Sequence, residues 1–421
     1  MTTLSEPTTG APTAASPPPP AQRGGWARRL AGGSPARAVA GFTLAAIVLF
    51  AVAPLVLGDF RLNLLAKYLC IAIVAVGIGL AWGRGGLLTL GQGVFFGIGG
   101  YAMAMHLKLA DAGPGELPDF MQLYGQVDAL PWWWRPFANP AFALAATVVL
   151  PMLLAFLLGS LVFRRRVRGA YFAILSQALA AATAIFVIGQ QGTTGGTNGL
   201  TDMKGFFGYN LDDPINKRMV YFIIAAALLL CLALVRQLMR SRYGELLVAV
   251  RDGEQRVRFL GYDPANVKLT AYVVAAGMAG LAGALFVPAV GIISPALIGV
   301  VPSIEFVIGV AVGGRATLIG PALGAVAVVW AKTALSERMP SAWTYFEGLL
   351  FIIPVAFLPG GLASLVGVVR RRGAASMADR QTSRASSASG TGNAGSASGA
   401  SEPSMASGAT VQSNATSEEA R

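Results

Sequence analysis

A chain of 421 residues with 54% hydrophobic and 12% charged side chains, at a mean hydropathy of +0.60, is too apolar for a soluble globular domain and reads as an integral membrane protein. The net charge of +12 would suit a nucleic-acid binder, but the basic residues gather in short clusters beside hydrophobic spans, a positive-inside pattern that sets nucleic acid aside as a partner. Cys70 and Cys231 each lie in an apolar run without a second ligand-type residue at metal spacing, and read as packing residues.

Residues 1–36 are rich in Thr, Ala, Ser and Pro, cannot bury enough apolar surface to fold alone, and are expected to form a disordered cytoplasmic tail. The basic end of that tail, Arg23, Arg28, Arg29 and Arg37, is too long for a cleaved signal peptide, and further spans follow at once. Windows near ~20 apolar residues predict spans at 38–57, 62–82, 86–108, 140–162, 170–189, 218–236, 269–290, 303–314, 317–334 and 347–367. The fold class is therefore an all-α polytopic transmembrane bundle of about ten spans over 37–370, in which 303–334 reads either as two spans or as a broken, re-entrant pair.

Charge orients the bundle. Arg164, Arg165, Arg166 and Arg168 follow the fourth span, arginines crowd 239–268, and Arg370 to Arg372 follow the tenth. The opposite loops are acidic, with Asp111, Glu116, Asp119 and Asp128 in 111–139 and Asp202, Asp212 and Asp213 in 190–216, so both termini are expected to be cytoplasmic. Trp132, Trp133 and Trp134 suit an interfacial anchor, and the glycine-rich GQQGTTGGTNGLTD is expected to be flexible outer-face backbone. From 371 to Arg421 the chain is low-complexity Ser, Ala and Gly, expected to be disordered.

Between the sixth and seventh spans lies the longest polar connector, Met239 to Lys268. Read as a helix, it places Arg251, Glu254 and Arg258 at i, i+3 and i+7, with Leu246, Leu247, Val250 and Val257 on another side. Gly244, Gly253 and Gly261 are expected to divide it into short helical pieces, with Pro264 as a stop, so that it lies at the membrane surface with a charged face free for a partner. An ordinary loop with an exposed Glu254–Arg258 pair is the plainer alternative.

Two spans carry polar groups. In GRGGLLTLGQGVFFGIGGYAMAM (83–105), Gly93 and Gly97 form a small-xxx-small pair for helix packing, while Thr89 and Gln92 need a partner, either another helix or a polar solute in transit. In PSIEFVIGVAVGGRATLIGPALG (302–324), Glu305 either reaches interfacial water or serves inside the bundle, and Gly313, Gly314 and Arg315 form a turn. Outside these two stretches, Lys67 and Lys332 are expected to snorkel or pair, with direct solute contact as the alternative. His106, near an outer helix end, reads as a surface residue. No lysine follows a glycine, so a P-loop is absent; CxxC, HExxH and GxSxG are absent too. No catalytic residue, metal site or cofactor is expected.

LTLGQGVFFGIGGYAMAM (88–105), RGAYFAILSQAL (168–179), GGTNGLTD (195–202), the Gly244–Gly261 connector, PSIEFVIGVAVGGRATLIG (302–320) and FLPGGL (357–362) resemble the permease subunits of branched-chain amino acid type ABC importers. Gln92 in TLGQG, together with PSIE and GGR, resembles the urea branch, the permease C subunit. The resemblance implies that the connector docks in a groove of the ATPase through Glu245, Arg251, Glu254, Arg258 and Gly261. It also implies a sister permease, two cytoplasmic ATPase subunits, an extracytoplasmic solute-binding protein and a bacterial inner-membrane location. Gln255 and Arg256 depart from the alanines of an EAA loop, Ala316 from a glycine, and Gly360 from a lysine.

The function expected is translocation of urea, with Thr89, Gln92 and Glu305 as candidate pathway residues; the alternatives are a branched-chain amino acid or short-amide importer, and a stand-alone channel or secondary transporter. A membrane enzyme has no nucleophile, metal or acid–base constellation to support it.

Overall fold

Among the described residues, ten longer helices carry the architecture. In the computed structural model, residues 35–338 are described apart from Pro114, 125–128, Arg166 and Arg168, together with Tyr345, Gly348, Leu349 and Ile352. Residues 1–34 and 371–421 of the expected tails, FLPGGL, Arg370–Arg372 and, apart from Gly348, Leu349 and Ile352, the tenth span at 347–367 lie outside the described residues, as do Asp128, Arg166 and Arg168; Pro35 and Ala36, expected in the tail, already open the first helix.

Helix α1 (Pro35–Ile47) continues through a π-helical stretch, Val48–Val52, into Ala53–Val56. Helix α2 (Asp59–Ile78) widens into a second π-helical stretch, Gly79–Arg84. There follow α3 (Gln92–Ala112), α4 (Pro140–Arg164), α5 (Gly169–Gly189), α6 (Pro214–Arg240), α7 (Arg242–Phe259), α8 (Pro264–Val290), α9 (Val300–Gly313) and α10 (Gly320–Arg338). Local chemistry sets several starts. Asn139 caps α4 by accepting from Ala141 N at 2.9 Å, and Asp263 caps α8 by accepting from Ala265 N at 3.0 Å. Pro264 therefore opens α8 at its first position, where a missing N–H removes no helical bond, and is more than the stop expected of it.

Burial ranks the helices. Among the described residues, seven helical segments are long and apolar enough to cross a membrane: Val39–Val56, Asp59–Arg84, Pro140–Arg164, Gly169–Gly189, Pro214–Arg240, Pro264–Val290 and Pro295–Gly313. The apolar windows of α2 and α8 are 83% and 78% buried, whereas those of α1, α5 and α4 are 6%, 22% and 28% buried. Helices α2 and α8 thus form the interior, and α1, α4 and α5 turn apolar faces outward. Helix α3 packs between α8 and α4, and starts at Gln92, later than the span expected at 86–108, because 85–91 is a turn. Helices α9 and α10 form a hairpin closed at Gly314, whose φ is +102°, so 303–334 is two helices.

Glycine brings α3 and α8 into backbone contact, though not at the expected pair. Gly99 lies on the backbone of Gly280, and Gly283 on that of Phe96, where any Cβ would overlap the neighbouring main chain. Gly93 and Gly97 instead accommodate Ile298, just past the short 3₁₀ turn Pro295–Leu297.

At the end of the bundle remote from α7, strand β1 (Leu200–Thr201) pairs antiparallel with β4 (Ile292–Ile293), and β2 (Gly205–Phe206) with β3 (Tyr209–Asn210). The glycine-rich loop is therefore strapped to the end of α8, contrary to the flexibility expected, with Gly199 seated on the Ile293 backbone. His106 is only 5% exposed, which corrects its surface reading; its Nδ1 lies 2.8 Å from the Phe137 carbonyl and so carries the proton. Lys108, also buried, donates to Asp119 and to the Asp202 carbonyl, both at 3.0 Å.

Candidate functional site

Helix α7 is the connector expected from the sequence, and its apolar stripe is turned inward: Leu247, Val250 and Val257 are buried and Leu246 partly so. Of its three glycines only Gly253 breaks the helix, with φ −165° and ψ 74°. Gly244 lies in the first turn, close to the Leu238 and Met239 carbonyls, and Gly261 terminates the element at φ +85°. The terminus is a Schellman motif: Gly261 N–H donates to the Arg258 carbonyl at 3.0 Å and Tyr262 N–H to the Val257 carbonyl at 3.3 Å.

The five residues assigned to docking fall into separate environments. Glu245 is exposed in the first turn. Glu254 pairs with Lys268 of α8 at 2.7 Å and with Arg258 at 3.4 Å. Arg251 donates from Nη1 to the Gly83 carbonyl at 2.8 Å. Tyr243 donates to the Val267 carbonyl at 2.8 Å; burial pushes its phenol well above the usual tyrosine range, which keeps the hydroxyl a donor. Beneath the kink a cleft of about 230 Å³ opens between Gly85, Gly86, Phe172, Arg251, Glu254 and Lys268.

Helical period in the sequence does not single out the far end of α7. Phe259, Leu260 and Tyr262 are 91%, 75% and 56% exposed, forming an apolar tip at the end of an otherwise charged element. The signal was present as RFLGYD, three large apolar residues out of phase with the buried stripe.

The expected pathway residues do not come together as one set. Gln92 opens α3 and is 1% exposed, and neither atom of its amide has a hydrogen-bond partner among the described residues. Thr89 is fully buried beside Tyr272. The strands of chain around them are held by serines: Leu90 N–H donates to Ser176 Oγ of α5 and Gly93 N–H to Ser303 Oγ of α9, both at 3.0 Å. Glu305 is elsewhere, ion-paired with Lys332.

The described residues form an apolar bundle with one charged helix across one end, and no cluster of metal-ligating side chains is found among them. Residues 60–366 match the family described as branched-chain amino acid transport system / permease component. The chain belongs to that permease family. It is 26% identical over 345 residues to the high-affinity branched-chain amino acid transport system permease protein LivM of Salmonella typhimurium, covering 76% of this chain and 74% of the relative. The LivM permease of Escherichia coli matches at the same identity and coverage. The fructose import permease protein FrcC of Rhizobium meliloti is 30% identical over 159 residues, 36% of this chain and 43% of that one. No solved structure matches. As a permease component, the chain is a multi-pass membrane protein and a transport subunit.

Proposed function

We propose that the chain is the permease subunit of an ABC importer in a bacterial inner membrane, working with a sister permease, two cytoplasmic ATPase subunits and an extracytoplasmic solute-binding protein. The observation that carries this reading is the exposed apolar tip Phe259–Leu260–Tyr262 on a charged connector held to the bundle. Such a tip on the arginine-rich side needs a partner to cover it. ATP-driven closure of the ATPases displaces α7, and its attached helices switch the opening of the pathway between faces.

The cargo favoured by the relatives is a branched-chain amino acid, since both LivM proteins are named for that transport. That support is better than the support for urea, which the sequence put first. Urea is kept as a second reading on one observation: the Gln92 amide, without a partner among the described residues, offers a donor and an acceptor to a molecule that is itself an amide. Uptake of labelled leucine and labelled urea, measured in cells with and without this gene, separates the two. Leucine uptake falling alone supports the first, urea uptake falling alone supports the second, and neither falling removes both.

A further inference from the structure

We propose that Arg251 is a positioning residue that clamps the connector to the turn feeding α3, so that displacement of α7 is delivered to the helix start carrying Gln92. This rests on the importer reading above, and gives Arg251 a role other than contact with the ATPase.

The grip has three parts. Gly83 lies in the last turn of α2, where carbonyls lack helical N–H partners, and the Arg251 guanidinium satisfies that one at 2.8 Å while complementing the negative end of the helix dipole. Asp252 accepts from Arg251 Nε at 2.8 Å and fixes the guanidinium plane. The aliphatic stem of Arg251 lies over Gly86, whose φ is +69°; a Cβ there would come within 2.8 Å of Arg251 Cγ. One turn earlier on the same face, Leu247 packs against Gly85 in the same way. Two consecutive glycines are thus held by two residues of α7.

What the glycines lead into makes the grip directional. Gly86 N–H donates to the Trp82 carbonyl and Leu87 N–H to the Ala81 carbonyl, each at 3.0 Å, folding the turn onto α2. The segment then runs to Gln92, where Ser176 and Ser303 hold Leu90 and Gly93. Its beginning is fastened to α7 and its end to α5 and α9. Movement of α7 relative to those helices must therefore be absorbed by 87–91 or passed to the start of α3. The break at Gly253 separates the gripping part of α7 from the part ending in Phe259, so the tip can pivot without releasing Gly83.

The test uses the assembled complex of permeases, ATPases and binding protein in proteoliposomes, comparing Arg251→Ala, Arg251→Lys and Phe259→Ala. Three readouts are taken: ATPase co-purification, ATP hydrolysis, and solute moved per ATP. Arg251→Ala is expected to retain the ATPase and its hydrolysis while solute moved per ATP falls about tenfold, a coupling loss of usual size. Arg251→Lys, which keeps the charge and most of the stem, is expected to recover part of it; size-exclusion profiles of both variants guard against misfolding. Phe259→Ala is expected to lose the ATPase itself. If Arg251→Ala sheds the ATPase as Phe259→Ala does, or transports normally while Phe259→Ala fails, the clamp is overturned and the importer reading stands. If neither variant changes any readout, the clamp and the docking role of the tip are both overturned; the importer reading itself falls only if the unsubstituted chain retains no ATPase and moves no solute with ATP.

Discussion

The Glu305 carboxylate of α9 is ion-paired with the Lys332 ammonium of α10, across the hairpin that Gly314 closes, with Lys67 of α2 in electrostatic range of both. A carboxylate in an apolar helix is costly alone and tolerable beside a cation. Its observed role is to join two helices. Glu305→Gln is expected to lower stability by about 1–2 kcal/mol, the upper range for polar pairs between membrane helices. The reversed pair Glu305→Lys with Lys332→Glu is expected to recover most of that loss in thermal unfolding, whereas a pair acting only on solute would leave the melting temperature unmoved.

Gln92 presents the opposite case, an amide buried at 1% exposure with no partner at either atom among the described residues. An unsatisfied buried polar group destabilises by about 1–3 kcal/mol. Gln92→Leu is therefore expected to raise the melting temperature while reducing uptake of the cargo. A variant that gained stability and kept full uptake would remove Gln92 from the pathway.

Gly261 holds a positive φ that sets the direction of the apolar tip. An L side chain there costs roughly 1–2 kcal/mol. Gly261→Val is expected to weaken ATPase retention severalfold with little change in bundle stability, as read by pull-down and by melting in parallel. Equal retention would show that the tip's direction is immaterial.

Sidedness has its own check. Gln255 is exposed on α7. A single cysteine at that position, in a background lacking Cys70 and Cys231, is expected to react with an impermeant maleimide in inverted vesicles and to be protected in intact cells. Labelling from outside would end the connector reading.

Much of the bundle could be read from the chain, because ~20-residue apolar windows are imposed by the bilayer and hardly depend on tertiary context. The buried stripe of α7 was readable for a similar reason, since Leu246, Leu247, Val250 and Val257 keep helical period. Contacts between distant segments were not. Lys108 resembles any lysine near a span's end, and only the fold brings it to Asp119 and Asp202. Arg251 looked like part of a charged face because Gly83, its acceptor, is a backbone group 168 positions away. Glu305 and Gln92 looked alike as polar residues in apolar spans; a cation 27 positions on separates them.

The glycine seam between α3 and α8 limits how the subunit can work. With Gly99 on the Gly280 main chain and Gly283 on that of Phe96, neither helix can slide along the other without collision. The two must travel as a single piece. Any gate has to open along a boundary other than this seam.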